Sequence, residues 1–251
     1  MKETIAWLVV AALYAAPAVA ADINVMSGGA PKEALNALIP QFERATGHHV
    51  KMTYVLISAL RQRIADGEAP DMVIMPTAAI DDLIKLGRLK QDGYRSFGTV
   101  RLVAIARKGA VRPDMSTPDA FKDALLKAHS VVYSTPTATP SGAHMAQLVG
   151  RLGIADAIEK KVHYRPALEG GVQMVSDGTA EIGIYPASEV VHVSGVDQIA
   201  QLPEALQLSL VYAGAVATAN TFAEPPEAFI KFLAAEDNRR IWEDAGFEPA
   251  H

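Results

Sequence analysis

The sequence predicts an α/β chain of two lobes, each a mostly parallel sheet flanked by helices, with a cleft between them. Three observations carry this. Short runs with strand periodicity alternate with segments of helical periodicity, as in parallel strands joined by crossover helices. Two long apolar strands, Val100–Ala106 and Leu208–Val216, stand far apart with a second set of alternating elements between them, so the chain crosses to another lobe and comes back. No internal repeat is visible, which argues against a solenoid. A single larger α/β domain is the alternative.

The first lobe opens with Asp22–Val25, which alternates weakly and ends at Met26-Ser27-Gly28-Gly29. Pro31 suits a first helical turn, Leu35, Leu38, Ile39 and Phe42 recur at helical spacing, and Gly47 stops the helix. A second unit follows, with Val50, Met52 and Tyr54 on a strand, Ser58 as cap, Leu60 and Ile64 on a helix, and Gly67 as the stop. The third places a buried strand at Met72–Met75, a cap at Thr77, and Ile80, Leu83 and Ile84 on the inner face of a helix that Gly87 ends. Between the crossing strands, Thr117-Pro118 opens a helix and Val131–Tyr133 forms a strand. Helices at Gly142–Leu152 and Gly171–Val175 and a strand at Ile182–Tyr185 complete that lobe. The last helices, Pro226–Leu233 and Asn238–Trp242, return to the first lobe. The expected division is 21–98 for the N-terminal part of the first lobe, 99–212 for the second, and 213–251 for the return.

Residues 1–20 read as a cleavable secretory leader. Lys2 precedes an apolar run from Ile5 to Ala16, and Ala18-Val19-Ala20 supplies the small side chains of a processing site. That run is too short to span a bilayer, which takes about 20 apolar residues. Export to the periplasm without stable membrane insertion is expected. The chain has no cysteine, so a lipobox anchor and disulfides are excluded and packing alone holds the mature protein together. A net charge of −5, with no basic run, gives nucleic acid nothing to bind.

Three loops join a strand end, a hydroxyl and a helix start, where free N–H groups and the helix dipole favour an anion. They are Ser27-Gly28-Gly29-Ala30, Ile57-Ser58-Ala59, and Ser134 to Gly142 with Thr139 and Ser141, followed by His144. Any one of these hydroxyls can be a plain helix cap. Their recurrence at corresponding ends of parallel strands points instead to a ligand.

Several segments, in order, carry a family resemblance. They are Ser58-Ala59-Leu60, Gly67-Glu68-Ala69-Pro70-Asp71-Met72-Val73-Ile74, Gly87, Pro140-Ser141-Gly142, Gly178-Thr179-Ala180-Glu181-Ile182-Gly183-Ile184, and Ile241-Trp242-Glu243-Asp244-Ala245-Gly246-Phe247. Over essentially its whole mature length the chain resembles the molybdate-binding branch of the type II periplasmic binding proteins. The resemblance implies a monomer that captures a small anion between its lobes for an ABC transporter permease, with no cofactor. It also implies neutral donors, two of them serines that fall on Ser27 and Ser58. Ligand-binding candidates are then Ser27, Gly28, Ser58, Ala59, Ser141, Gly142, Val172 and Tyr185, with Arg61, Thr139 and His144 as further possibilities. One departure bears on the ligand. Tyr185 stands one position before the family's tyrosine, and Pro186 occupies that place. One residue of shift along a strand turns a side chain to the opposite face, so a small organic carboxylate stands beside a molybdate-like oxyanion as the expected ligand.

The adjacent His48 and His49 diverge, and the remaining histidines are scattered, so no metal site is expected. An enzyme is the rival class. No Gly-x-Ser-x-Gly, Ser-x-x-Lys or His-Glu-x-x-His occurs, and Gly28-Gly29-Ala30-Pro31-Lys32 lacks the hydroxyl of a phosphate loop, so no catalytic residue is assigned. A binding protein that reports to a sensor would use the same fold.

Overall fold

The computed structural model describes residues 20–165, 170–220, 222 and 224–249. All but the last residue of the expected leader lies outside the described residues. The first lobe begins with β1 (Asp22–Ser27), α1 (Lys32–Thr46), β2 (His49–Tyr54), α2 (Ile57–Ala65), β3 (Met72–Pro76) and α3 (Thr77–Lys85). Apolar spacing decides how these pack. Helix α1 buries Ala34, Leu35, Leu38 and Phe42, and Gly47 ends it at φ 76°, where its N–H donates to the Glu43 carbonyl at 2.8 Å. Strand β3 is buried at every position, which explains its unbroken apolar run.

A long strand, β4 (Arg95–Arg107), leaves this lobe. The second lobe holds α4 (Pro118–Lys127), β5 (Val131–Tyr133), α5 (Pro140–Arg151), α6 (Ala155–Glu159), β6 (Val162–Tyr164), α7 (Gly171–Ser176), β7 (Ile182–Pro186) and β8 (Val196–Gln201). Strand β9 (Ser209–Val216) then returns to the first lobe, where α8 (Glu224–Leu233) and α9 (Arg239–Asp244) finish it.

The strands lie in the order β2-β1-β3-β9-β4-β7-β5-β6, with β8 also paired to β4. Strand β4 serves both lobes. Its Arg95–Arg101 half pairs with β9, and from Leu102 onward it pairs with β7 and β8. This exchange falls beyond the crossing expected at residues 98/99. Pairing is parallel within β2-β1-β3 and within β7-β5-β6, and antiparallel wherever β4 or β9 takes part. Each sheet is therefore mixed rather than mostly parallel, because the two crossing strands enter against the direction of the crossover units.

One apolar core fills the first lobe around Leu35, Phe42, Ile74, Phe229 and Trp242. Two smaller cores line opposite faces of the second sheet, one around Phe121, Tyr133 and Leu148, the other around Val103, Val132 and Tyr185. The C-terminal segment closes on the crossing strands. Trp242 stacks on Phe97 at 5.0 Å, and Thr99 and Glu248 exchange backbone hydrogen bonds of 2.8 Å in both directions.

Three elements escaped the sequence pattern, namely α6, β6 and β8. Each is short, and β8 carries Asp197, Gln198 and Gln201 on a half-buried edge. Two helix starts also differ. Ser58 and Thr77 lie inside their helices, and Leu56 and Pro76 hold the cap positions with ψ near 139°. Thr139 is the cap of α5, its Oγ1 accepting from the Gly142 N–H at 3.1 Å, so this helix starts two residues earlier than expected.

Candidate functional site

The ends of β1, β7 and the crossing strand β9 meet the first turns of α2 and α5 between the lobes. Gly28 follows β1, and a Cβ there would come within 2.4 Å of the Ile57 Cδ1, so a larger residue would have to push the Ile57 side chain aside. Across the cleft, Thr139 caps α5 and Ser141 is buried in its first turn, with hydroxyls 3.0 Å apart. A short 3₁₀ turn, Ala187–Glu189, follows β7 and brings Glu189 to the same place. Strand β9 contributes Leu210 and Tyr212.

Together these residues enclose an inner chamber of about 20 Å³, walled by Gly29, Leu56, Ile57, Leu210 and Tyr212 on one side and Thr139, Pro140, Ser141, Pro186 and Glu189 on the other. That is room for roughly one water. Any polyatomic ligand therefore needs the lobes to part before it enters. Outside it lies a wider mouth of about 260 Å³, lined by Gly29, Lys32, Glu33, Ser188, Glu189, His192 and Val193. Gly29 and Glu189 border both spaces.

Among the described residues the inner chamber is lined by hydroxyls, apolar groups and one carboxyl, with no Lys, Arg or His on its wall. Burial alone pushes the Glu189 carboxyl up to about 7. Burial also drives the Tyr212 hydroxyl far above its ordinary value, and the charge of Glu189 adds to that, so Tyr212 stays a neutral donor. At the mouth, the buried Ser188 hydroxyl has no hydrogen-bond partner among the described residues. The Lys32 ammonium lies 5.9 Å from the centre of the Tyr54 ring, and burial, with Glu33 behind it, pushes the Tyr54 hydroxyl up to about 12.

The structure brings together some of the residues expected from sequence and separates others. Thr139 and Ser141 face the chamber. Ser27 and Gly28 lie directly behind it, with the Ser27 hydroxyl donating to the Gly28 carbonyl at 2.9 Å. Ser58 bridges the lobes, its Oγ donating to the Ala138 carbonyl at 2.9 Å, and Ala59 beside it is exposed. Gly142 sits beneath the Ser134 and Thr135 carbonyls, where a Cβ would clash at 2.4 Å.

Four candidates lie away from the chamber wall. Tyr185 points into the second lobe, where its hydroxyl donates to the Arg165 carbonyl at 2.6 Å and its ring is wholly buried. Val172 is core beside it. The His144 imidazole Nε2 contacts the Leu206 carbonyl at 2.8 Å, and Arg61 pairs with Asp82 at 3.1 Å on the surface. Pro186, the next residue along β7 and so on the opposite face of the strand, lies on the chamber wall instead.

Sequence reasoning missed Glu189, Tyr212 and Lys32 as site residues. The available signal was the segment Pro186-Ala187-Ser188-Glu189, an acid placed directly after a buried strand. No group of three or more metal-ligating side chains occurs among the described residues, and no described helix is long and apolar enough to cross a membrane.

Comparison with known proteins shows the family and the fold. A family model for bacterial extracellular solute-binding proteins matches residues 23–248. An aconitate isomerase from Pseudomonas sp. is 30% identical over 235 residues, covering 90% of this chain and 87% of that protein. The molybdate-binding protein of Escherichia coli K12 is 22% identical over 227 residues, covering 90% and 88%. The periplasmic molybdate-binding protein of Azotobacter vinelandii superposes with a TM-score of 0.75 at 15% identity, covering 91% of this chain and all of that one. This last likeness speaks for the two-lobed fold.

Proposed function

The chain belongs to the bacterial extracellular solute-binding protein family, and on that footing we propose that it captures a small di- or tricarboxylate between its lobes in the periplasm. As in the sequence reading, it would hand this ligand to an ABC importer permease after export on the leader at residues 1–20. The single observation that carries the ligand class is Glu189 on the chamber wall. Near neutral pH this carboxyl holds a proton part of the time, so it can donate to a carboxylate. Thr139 and Ser141 are the proposed donors of the second lobe, and the backbone around Ser27–Gly29 that of the first. Lys32 at the mouth supplies the positive charge that a second carboxylate seeks.

A thermal-shift panel of molybdate, tungstate, sulfate, phosphate and di- and tricarboxylates tests this. A ligand at a hundred times its dissociation constant adds about 2.7 kcal/mol of stability. A carboxylate is expected to raise the melting temperature most. Stabilisation by molybdate or sulfate alone would refute the ligand class.

A second reading is favoured by the same residue together with the relative at 30% identity. If the ligand is aconitate, propene-1,2,3-tricarboxylate, the chain acts on it as an isomerase rather than only holding it. Conversion of the bound tricarboxylate, followed by proton NMR, separates this reading from simple capture.

A further inference from the structure

We propose that Glu189 is the acid–base group of the cleft, moving a proton between two carbons of an unsaturated tricarboxylate held there; this rests on the second reading above. Three features of the site lead to it. Glu189 is the only carboxyl on the inner chamber wall among the described residues, and it also borders the mouth through which a ligand arrives. Among the described residues it makes no hydrogen bond or ion pair, whereas Asp71 binds Asn24 and Asn220, and Glu68 binds Arg63. A carboxyl that is unpaired and half-buried is costly to keep in a fold, which suits a group that meets its partner only in the ligand. Lastly, the chain has no cysteine, so reversible thiol addition to a double bond is not available to it, and a proton shift needs one base alone.

The step balances without any oxidant or reductant. The Glu189 carboxylate takes a proton from the methylene carbon next to the double bond. The electron pair of that C–H bond becomes the new C=C, and the old π pair moves to the far carbon. The same Glu189 carboxyl, which exchanges its proton with solvent at the mouth, returns a proton there, so the double bond has shifted by one carbon and can be left in the other configuration. Tyr212, neutral and on the chamber wall, is placed to donate to the ligand oxygen that gathers charge on the way.

The titratable groups around Glu189 are Tyr212 from β9, Tyr185 in the core behind β7, and, at the shared mouth, Lys32 and Glu33 near the start of α1 and His192 beyond the turn. With burial holding the carboxyl near 7, its basic form fills as pH rises through neutrality. The rate should therefore climb with pH and level off above that point.

The test uses the mature protein with propene-1,2,3-tricarboxylate in D2O, with NMR to follow conversion and deuterium uptake and calorimetry to follow binding. The wild type is expected to interconvert the two isomers and place solvent deuterium on carbon. Glu189→Gln should bind within about tenfold of the wild type while kcat falls by about 10²- to 10⁴-fold. A Glu189→Gln protein that keeps its kcat overturns the assignment and leaves the isomerase reading standing. Wild type that binds without conversion or deuterium uptake overturns both. Should the glutamine variant not fold, Glu189→Asp withdraws the carboxyl by one methylene; a tenfold or greater loss of kcat is expected, and an unchanged kcat overturns the proposal.

Discussion

Replacing Glu189 with glutamine should make the protein more stable above about pH 4.5, with the gain growing until it levels off near pH 7. In the folded chain the carboxyl is raised from 4.5 to about 7 by burial, so the native state binds that proton more tightly than the unfolded state does. Below about pH 4.5 the group is protonated in both states and costs nothing. Between there and 7 the native state holds more protons than the unfolded chain, and stability falls with rising pH. Each tenfold change in proton affinity is worth about 1.4 kcal/mol, which sets an upper bound of about 3 kcal/mol at pH 8. Partial exposure of the side chain lets solvent relieve some of this, so about 2 kcal/mol is the working figure. Glutamine keeps the shape without the ionisation. For a chain of this size that corresponds to a gain of about 4–8 °C in melting temperature. Thermal denaturation of both proteins at pH 4.5 and pH 8 measures the difference, and other titrating groups cancel in the comparison. An equal shift at the two pH values would show that the carboxyl is not desolvated in the native state, and the reasoning would fail.

Three further expectations concern the second-lobe core and the chamber wall. Tyr185→Phe loses the bond to the Arg165 carbonyl and should cost about 1–2 kcal/mol in urea unfolding, with ligand affinity unchanged within threefold. Gly171→Ala places a Cβ 1.9 Å from the Tyr185 hydroxyl and should destabilise by about 1–3 kcal/mol, less so in the phenylalanine background, where that oxygen is gone. Ser141→Ala removes a proposed donor from the chamber wall. Calorimetry should show affinity for a carboxylate falling about 10- to 150-fold, the worth of one hydrogen bond to a charged partner.

How far the sequence could be read follows from how local each signal is. Strand β3 and helix α1 are set by neighbours a few residues away, so apolar runs and glycine stops reveal them. Thr139 too was found as part of a hydroxyl-rich loop before a helix. Glu189 follows a different logic. Its proton affinity depends on burial against Tyr212, which arrives on a strand more than twenty residues later, and no local pattern records that approach. Ser58 is similar, since its contact at Ala138 lies 80 residues away in the chain. The antiparallel entry of β4 and β9 was missed because an apolar strand looks the same whichever way it runs.

The place of β9 also governs how the chain must assemble. It lies between β3 and β4 in the first sheet, although more than a hundred residues of the other lobe are made between β4 and β9. Until Ser209–Val216 emerges, β3 and β4 present unsatisfied edges, and the N-terminal half cannot complete its sheet on its own. Such long-range closure slows folding. A chain built this way stays slack while it is being made or threaded through a pore, and tightens only when its last third is free.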